Sequence, residues 1–300
     1  MASALSAALI PENVPLRSGP PTREELLVHY PAKFTWEQLK TFVNSGDLGL
    51  LKRDKKLQTR YDTWSAGIRK EYGSMVNYLL TYRLQWGKPD ALALIPSILN
   101  PSHDVTARIK QSEQNGTVAQ DAATQPGLSR LPADASAYFD AGISPELISI
   151  IMNDWPYSVP PEIEHTLIWT RVPIYPPTLP PSIEKRLLQD GLWGFTGTLT
   201  PPPSPDTLSD CLPALADWGV TIDKLVRSPP DTEEEQAMID GVGKEVDTFI
   251  RRRWIEEEWE TAWFVNPPRL QSVPGLAHIH VFARHKSPEE IEEWNSKRAN

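Results

Sequence analysis

His278 and His280 stand two residues apart in GLAHIHVFAR (275–284), a stretch that otherwise reads as a β-strand. Strand side chains alternate between faces, so both imidazoles leave the same side of a sheet. EHTLIWTRVPI (164–174) reads as a second strand, with His165, Leu167, Trp169 and Arg171 on one face. If the two strands share a sheet with these faces alike, three imidazoles converge near Trp169 and Arg171. Imidazole ligates metals, shuttles protons and attacks electrophiles near neutral pH. One chemistry this suggests is a metal centre. His165, His278 and His280 with an open fourth position suit a divalent metal such as zinc or iron. Glu164 points to the opposite face and is poorly placed as a ligand. Another is a binding pocket without catalysis, with Trp155, Trp169, Trp193 and Trp263 as core or pocket wall around a few polar groups.

The elements that must position these residues follow from local signals. Thr35 and Gln38 form a capping box in FTWEQLKTFVNSGDLGLL, and Trp36, Leu39, Phe42 and Val43 fall on one helical face. Leu57, Tyr61, Trp64, Ile68 and Tyr72 repeat at helical spacing, and Ser74 caps a further helix reaching to about residue 86. SPELISIIMND (144–154) reads as a short helix with Ser144 as N-cap and Pro145 at its first position. The prolines from 173 to 181 end the 164–174 strand. Thr232 and Glu235 cap a long helix carrying Met238, Val242, Val246, Phe249, Ile250 and Trp254. ETAWFVN and AHIHVFAR are the closing strands. The expected fold class is α+β: a small, mostly antiparallel sheet with helices packed on one side.

The domain reading is a disordered arm at 1–30, an N-terminal helical block at 31–99, a disordered insertion at 100–135, an α+β core at 136–290 and a tail at 291–300. The core contains a second proline-rich excursion at 200–231, also expected to be disordered. GVGKEV (241–246) lacks the glycine spacing of a phosphate loop and carries no such function.

Composition narrows the function classes. The chain has 300 residues and a formal net charge of −9, so it offers no broad basic field for nucleic acid. No apolar run suits a bilayer span, the N-terminus lacks the pattern of a signal peptide, and the single Cys211 excludes intramolecular disulfides. A cytoplasmic setting is the expectation. Arg251 to Arg253, followed by three glutamates, read as local ion pairs. NDWPY (153–157) reads as a cap on the short helix and a turn, with Asp154 pointing into the pocket as the alternative, and Cys211, His29, His103 and His285 carry no expected role.

Four stretches together carry a resemblance: YPAKFTWEQLKTFVNSGDLGLLKR with NYLLTYRLQW, NDWPY, IEHTLIWTRVPI, and WFVNPPRLQSVPGLAHIHVFAR. The chain resembles the fungal N-acetylglucosamine-induced protein family, and departs from its pattern at Ala277, where an acid precedes the first histidine. The resemblance implies a cytoplasmic protein linked to amino-sugar response or metabolism, with an amino sugar or its phosphate as the expected ligand class. It supplies no catalytic residues. NPPRLQSVPGLAHIHVF is also similar to the Asn-loop-Ser/Gln-loop-His-x-His pattern of histidine-triad hydrolases and nucleotidyl transferases. That similarity implies His280 as the nucleophile on phosphorus, with Asn266, Arg269 and Ser272 holding phosphate oxygens. Phe282 stands where a triad protein has its third histidine.

Overall fold

Strand-forming residues dominate five segments, and hydrogen bonding joins them into one antiparallel sheet. The computed structural model describes residues 9–87, 131–226, 228–229 and 231–298. The strands are β1 (Ile148–Met152), β2 (Glu164–Thr170), β3 (Leu192–Thr196), β4 (Trp259–Val265) and β5 (Ala277–His285), in the order β1-β2-β5-β4-β3. One row of side chains crosses all five: Ile151, Leu167, His280, Phe264 and Trp193 stand opposite one another in turn. The histidines therefore lie near the middle of the sheet, away from its edges.

Helices cover both faces of this sheet, where one covered side was expected. The reason is that β2, β4 and β5 are buried almost continuously along their lengths, so neither face is left for water. On one face lie α5 (Pro181–Asp190) and α7 (Glu233–Arg253). Ile183, Leu187, Val246 and Ile250 there pack with Ile168, Ile279 and Val281. Thr232 and Glu235 make the anticipated capping box on α7. Asp247 and Glu256 pair with Arg251, as the local charge pattern implied.

The other face carries the histidines and is covered by the N-terminal block: α1 (Arg23–His29), α2 (Trp36–Asn44), α3 (Lys55–Tyr72) and α4 (Met75–Tyr78), the last continuing as a π turn over Leu79–Arg83. Phe34, Leu39 and Phe42 pack on Ala262, Phe264 and Phe282. Ile68, Met75, Leu79 and Leu80 pack on Ile151, Leu167 and Trp169. Glu260 of β4, only 4% exposed, clamps α2 to the sheet. It accepts from Trp36 Nε1 at 2.9 Å, Lys40 Nζ at 2.9 Å and Arg284 Nε at 2.9 Å. Several charge-assisted bonds on one buried carboxylate satisfy it and set the position of α2.

Several sequence expectations change here. Residues 148–152 form β1 and not the helix read into SPELISIIMND. Pro145 opens only a single 3-10 turn, and the isoleucines that follow alternate in burial as strand residues pairing with β2 do. The arm expected to be disordered is ordered from residue 9. α1 has a complete Thr22–Glu25 capping box, and Glu25, fully buried, pairs with Arg60 at 2.9 Å. The excursion expected to be disordered at 200–231 is ordered over its described residues: a 3-10 segment (Pro205–Cys211) leads into α6 (Leu212–Leu215), and Leu208, Cys211 and Leu215 insert under α2. Three buried apolar anchors within eight residues, two of them leucines, offset the ordering of that chain. Of the expected insertion at 100–135, residues 100–130 lie outside the described residues, as do 1–8 of the arm, 88–99 of the helical block and 299–300 of the tail. The tail otherwise forms α8 (Pro288–Arg298).

Gly191 joins α5 to β3 at φ +84°, and a Cβ there would sit 2.2 Å from the Val265 carbonyl. Only glycine fits that close approach.

Candidate functional site

β2 and β5 pair antiparallel with Leu167 opposite His280, Trp169 opposite His278 and His165 opposite Phe282. All three imidazoles consequently leave one face, as strand alternation requires. Ring centroids are 5.3 Å apart for His165–His280 and 5.0 Å for His278–His280. They sit at the seam between the two apolar clusters of the N-terminal block, with 1%, 6% and 5% exposure for His165, His278 and His280. Aromatic rings close the space around them. Phe264 stacks on His280 at 4.6 Å, Tyr157 on His165 at 4.9 Å, and Trp169 lies 4.2 Å from His278.

The hydrogen bonds fix the protons. Tyr157 directs its backbone N–H at His165 Nδ1, 3.3 Å away. A backbone N–H only donates, so His165 Nδ1 accepts and its proton resides on Nε2. His165 Nε2–H then donates to His280 Nδ1 at 3.0 Å. His280 therefore carries its proton on Nε2, facing the Asn266 amide at 3.1 Å. This order selects the amide rotamer that presents Asn266 Oδ1 to the ring. Separately, His278 Nδ1 donates to the Leu276 carbonyl at 3.0 Å.

Burial depresses the basicity of all three rings, because charging an imidazole away from water is costly. His165 and His280 are held well below the usual histidine range, first by desolvation and then by nearby positive charge, including that of Arg53. His278 is lowered too, with desolvation the main cause. The three rings are neutral at pH 7. The Arg53 guanidinium lies 5.6 Å from the Tyr157 ring and 4.6 Å from the Tyr61 ring, and its Nε donates to the Trp155 carbonyl at 2.7 Å.

The remaining residues singled out from sequence divide. Trp169 and Asn266, both buried, belong to the cluster. Arg171 lies one residue past the end of β2, half-buried, with its backbone N–H on the Leu147 carbonyl. Arg269 is exposed and donates to the Gln189 carbonyl at 3.0 Å, near Asp47 rather than the imidazoles. Ser272 is exposed on its loop. The phosphate-holding arrangement expected of Asn266, Arg269 and Ser272 around His280 is thus not assembled. Both nitrogens of His280 already face hydrogen-bond partners. The three-histidine metal set is not assembled either: among the described residues no group of three or more His, Cys, Asp and Glu side chains is arranged to hold a metal ion. His165 and His280 spend their facing nitrogens on each other. Glu164 faces away, as anticipated, and bonds toward Trp254.

Asn153, Tyr157 and Arg53 are functional-site neighbours that the sequence reading passed over. The NDWPY turn links β1 to β2 and folds over His165. Asn153 Oδ1 accepts from the Trp155 N–H at 3.0 Å, which turns its Nδ2 toward the His165 ring. Asp154 anchors the turn through Arg83, with 2.7 Å and 2.8 Å bonds from Nε and Nη2. The signal was present in the motif. It was obscured by reading the preceding strand as a helix.

Beside this turn a cavity of about 500 Å³ opens between α1 and the 156–165 segment. Leu26, Leu27, Tyr30 and Pro31 form one wall, and Pro156, Tyr157, Ser158, Val159 and His165 form the other. Prolines at 156, 160 and 161 hold that second wall in a preset shape.

Fold and site together define an α+β protein with a buried, neutral imidazole row and an adjoining cavity. Residues 35–182 and 224–284 match the family model described as protein of unknown function, DUF3605, and the chain belongs to that family. No curated protein matches it. A solved structure described as the crystal structure of HTC1 is 19% identical, covering 88% of this chain and 94% of that chain at a TM-score of 0.37. Likeness at that level defines neither fold nor function. Among the described residues no helix is long and apolar enough to cross a membrane.

Proposed function

We propose that this chain binds a small polar molecule of the cytoplasm, with amino sugars and their phosphates as the first class to test. The observation that carries the reading is the cavity of about 500 Å³ whose wall includes Tyr157 and His165. Its volume lies in the range of small-molecule sites, and it combines apolar and aromatic walls with a few fixed polar groups. The amino-sugar class rests on the resemblance of the four quoted segments to the N-acetylglucosamine-induced proteins. A net charge of −9 fits a small-molecule ligand better than a nucleic acid. Turnover is a separate question: the neutral imidazoles are able to exchange protons, but the geometry assigns them no bond to break.

The test is calorimetric titration and thermal shift on the full chain with hexosamines, N-acetylhexosamines and their 6-phosphates. A ligand present at 100 times its Kd stabilises the fold by about 2.7 kcal/mol. Leu27→Trp, at an exposed position of the cavity wall, fills the space without disturbing the core and abolishes the stabilisation. A flat response of the unmodified protein across the panel removes the reading.

A further inference from the structure

Four charged residues line the cavity between α1 and the 156–165 segment: Arg23, Asp54, Glu162 and Glu164. Two of them are already committed. Asp54 caps α3, accepting from the Lys56 and Leu57 N–H groups at 2.8 Å and 3.4 Å. Glu164 turns its carboxylate to the opposite face of the sheet, toward Trp254. The other two are free. Arg23 opens α1 on one wall, and Glu162 stands on the facing wall just before β2. Both are exposed, and neither side chain makes a hydrogen bond or an ion pair with any described residue, the other of the two included. The cavity therefore carries one unneutralised cation and one unneutralised anion on opposing walls. His165, which also lines it, is neutral and has both ring nitrogens engaged. Opposite charges across a cleft with apolar walls set up a field between them, which the low dielectric of those walls concentrates.

We infer that this cavity selects a zwitterion: a small molecule whose ammonium meets Glu162 and whose anionic group meets Arg23. The inference rests on the cavity being the binding site proposed above, and it narrows the ligand class there. A neutral molecule leaves both charges unpaired. A purely anionic one satisfies Arg23 and meets Glu162 with like charge, and a purely cationic one does the reverse. The planar guanidinium fork suits a phosphate or a carboxylate alike. Among amino sugars the favoured form is a hexosamine phosphate with a free amine, because N-acetylation removes the ammonium and loss of the phosphate removes the anion. An α-amino acid carries the same pair of charges on a shorter frame. Leu26, Leu27 and Tyr30 on one wall and Val159 and Pro160 on the other offer apolar contact to the body of the ligand.

Calorimetric titration of the full chain with glucosamine 6-phosphate, glucosamine, N-acetylglucosamine 6-phosphate, N-acetylglucosamine and leucine separates the charges. A zwitterion, glucosamine 6-phosphate or leucine, is expected to bind tightest, and which of the two leads identifies the anion and the frame. The advantage of glucosamine 6-phosphate over each analogue that lacks one charge is expected to be about three- to tenfold. Arg23→Gln removes the advantage conferred by the phosphate and leaves glucosamine binding as before. Glu162→Gln removes the advantage conferred by the free amine and leaves N-acetylglucosamine 6-phosphate binding as before. Both positions are exposed, so both variants keep the unfolding midpoint of the parent. N-acetylglucosamine binding as tightly as either zwitterion overturns the inference while the cavity stands as a binding site. A zwitterion preference that survives both substitutions overturns the assignment to Arg23 and Glu162. Absence of binding by all five compounds removes the inference together with the reading beneath it.

Discussion

Lowering the pH from 7 to 5 should destabilise this protein steeply, and His165 and His280 should be the cause. Both are buried and held well below the ordinary histidine range, mainly by desolvation. In the unfolded chain each titrates near pH 6.5. Above that value both states are neutral and the two rings contribute nothing to pH dependence. Below it the unfolded chain takes up protons that the folded chain refuses, so stability falls as pH falls, down to the folded values. Between pH 7 and 5 each ring that stays neutral in the folded state removes at most about 2 kcal/mol, and the pair at most about 4 kcal/mol. That is a large share of the roughly 5–15 kcal/mol available to a domain. Glu290, whose carboxyl is held at about 2 by Arg284, begins to lose its contribution only below its unfolded value near 4.5, outside this window. Asp47 and Glu164 are raised by burial and act in the opposite sense, gaining protons on folding as pH falls.

The assay is urea unfolding at pH 7, 6 and 5 on the full chain, alone and as His165→Asn and His280→Gln. Each variant keeps polar side-chain atoms where the ring stood and lacks the proton site. Comparison between variants cancels the carboxylates. His278, lowered by burial too, adds a contribution of the same sign, so each single substitution should reduce the pH 7-to-5 loss by up to about 2 kcal/mol without abolishing it. Unfolding free energies that stay level from pH 7 to 5, or an acid loss untouched by both substitutions, would refute the neutral-imidazole account.

Three other outcomes are expected. Asp154→Ala takes the carboxylate from Arg83, which is 1% exposed, and should cost about 3 kcal/mol or more by urea unfolding. The same change should loosen the NDWPY turn, seen as faster amide exchange at Tyr157, the donor to His165. Gly191→Ala forces a Cβ against the Val265 carbonyl at positive φ, and an unfolding free energy lowered by roughly 1–3 kcal/mol is the expected reading. Ile168→Ala empties a fully buried position on the face packed by α5 and α7, and should cost about 2–5 kcal/mol by urea unfolding.

What could be read from sequence was local or periodic. Thr35, Ser74 and Thr232 announce their helices through side-chain bonds to the next few residues, and all three form as expected. The face shared by His278 and His280 follows from alternation alone, and β2 carries His165 to the same face for the same reason. What was missed depends on distant partners. Ile148–Met152 is a strand because β2 lies beside it, whereas Ser144 and Pro145 at its start carry a helix signal. Leu208 and Leu215 order a proline-rich stretch because α2 waits above them, which no local count of prolines shows. Asn153, Tyr157 and Arg53 reach the imidazoles through turns and helices distant in sequence. Arg269 and Ser272 looked suitable through spacing, yet the loop after Asn266 directs them outward.

The composition of the seam departs from what packing alone requires. Aliphatic side chains at 165, 278 and 280 would complete the apolar layer between Phe282, Phe264, Leu167 and Trp169 without any polar group to satisfy. Three imidazoles instead place six polar nitrogens there, and the fold supplies partners for five by drawing on the 153–157 turn, the Asn266 amide and the Leu276 carbonyl. Such a network contributes little net stability, but it is sensitive to the geometry of every member. It couples the turn after β1 to the loop after β4 through two rings whose tautomers are set by a single backbone N–H. A shift of Tyr157 that broke its N–H bond to His165 would release the proton order that runs through His280 to Asn266, along one face of the sheet.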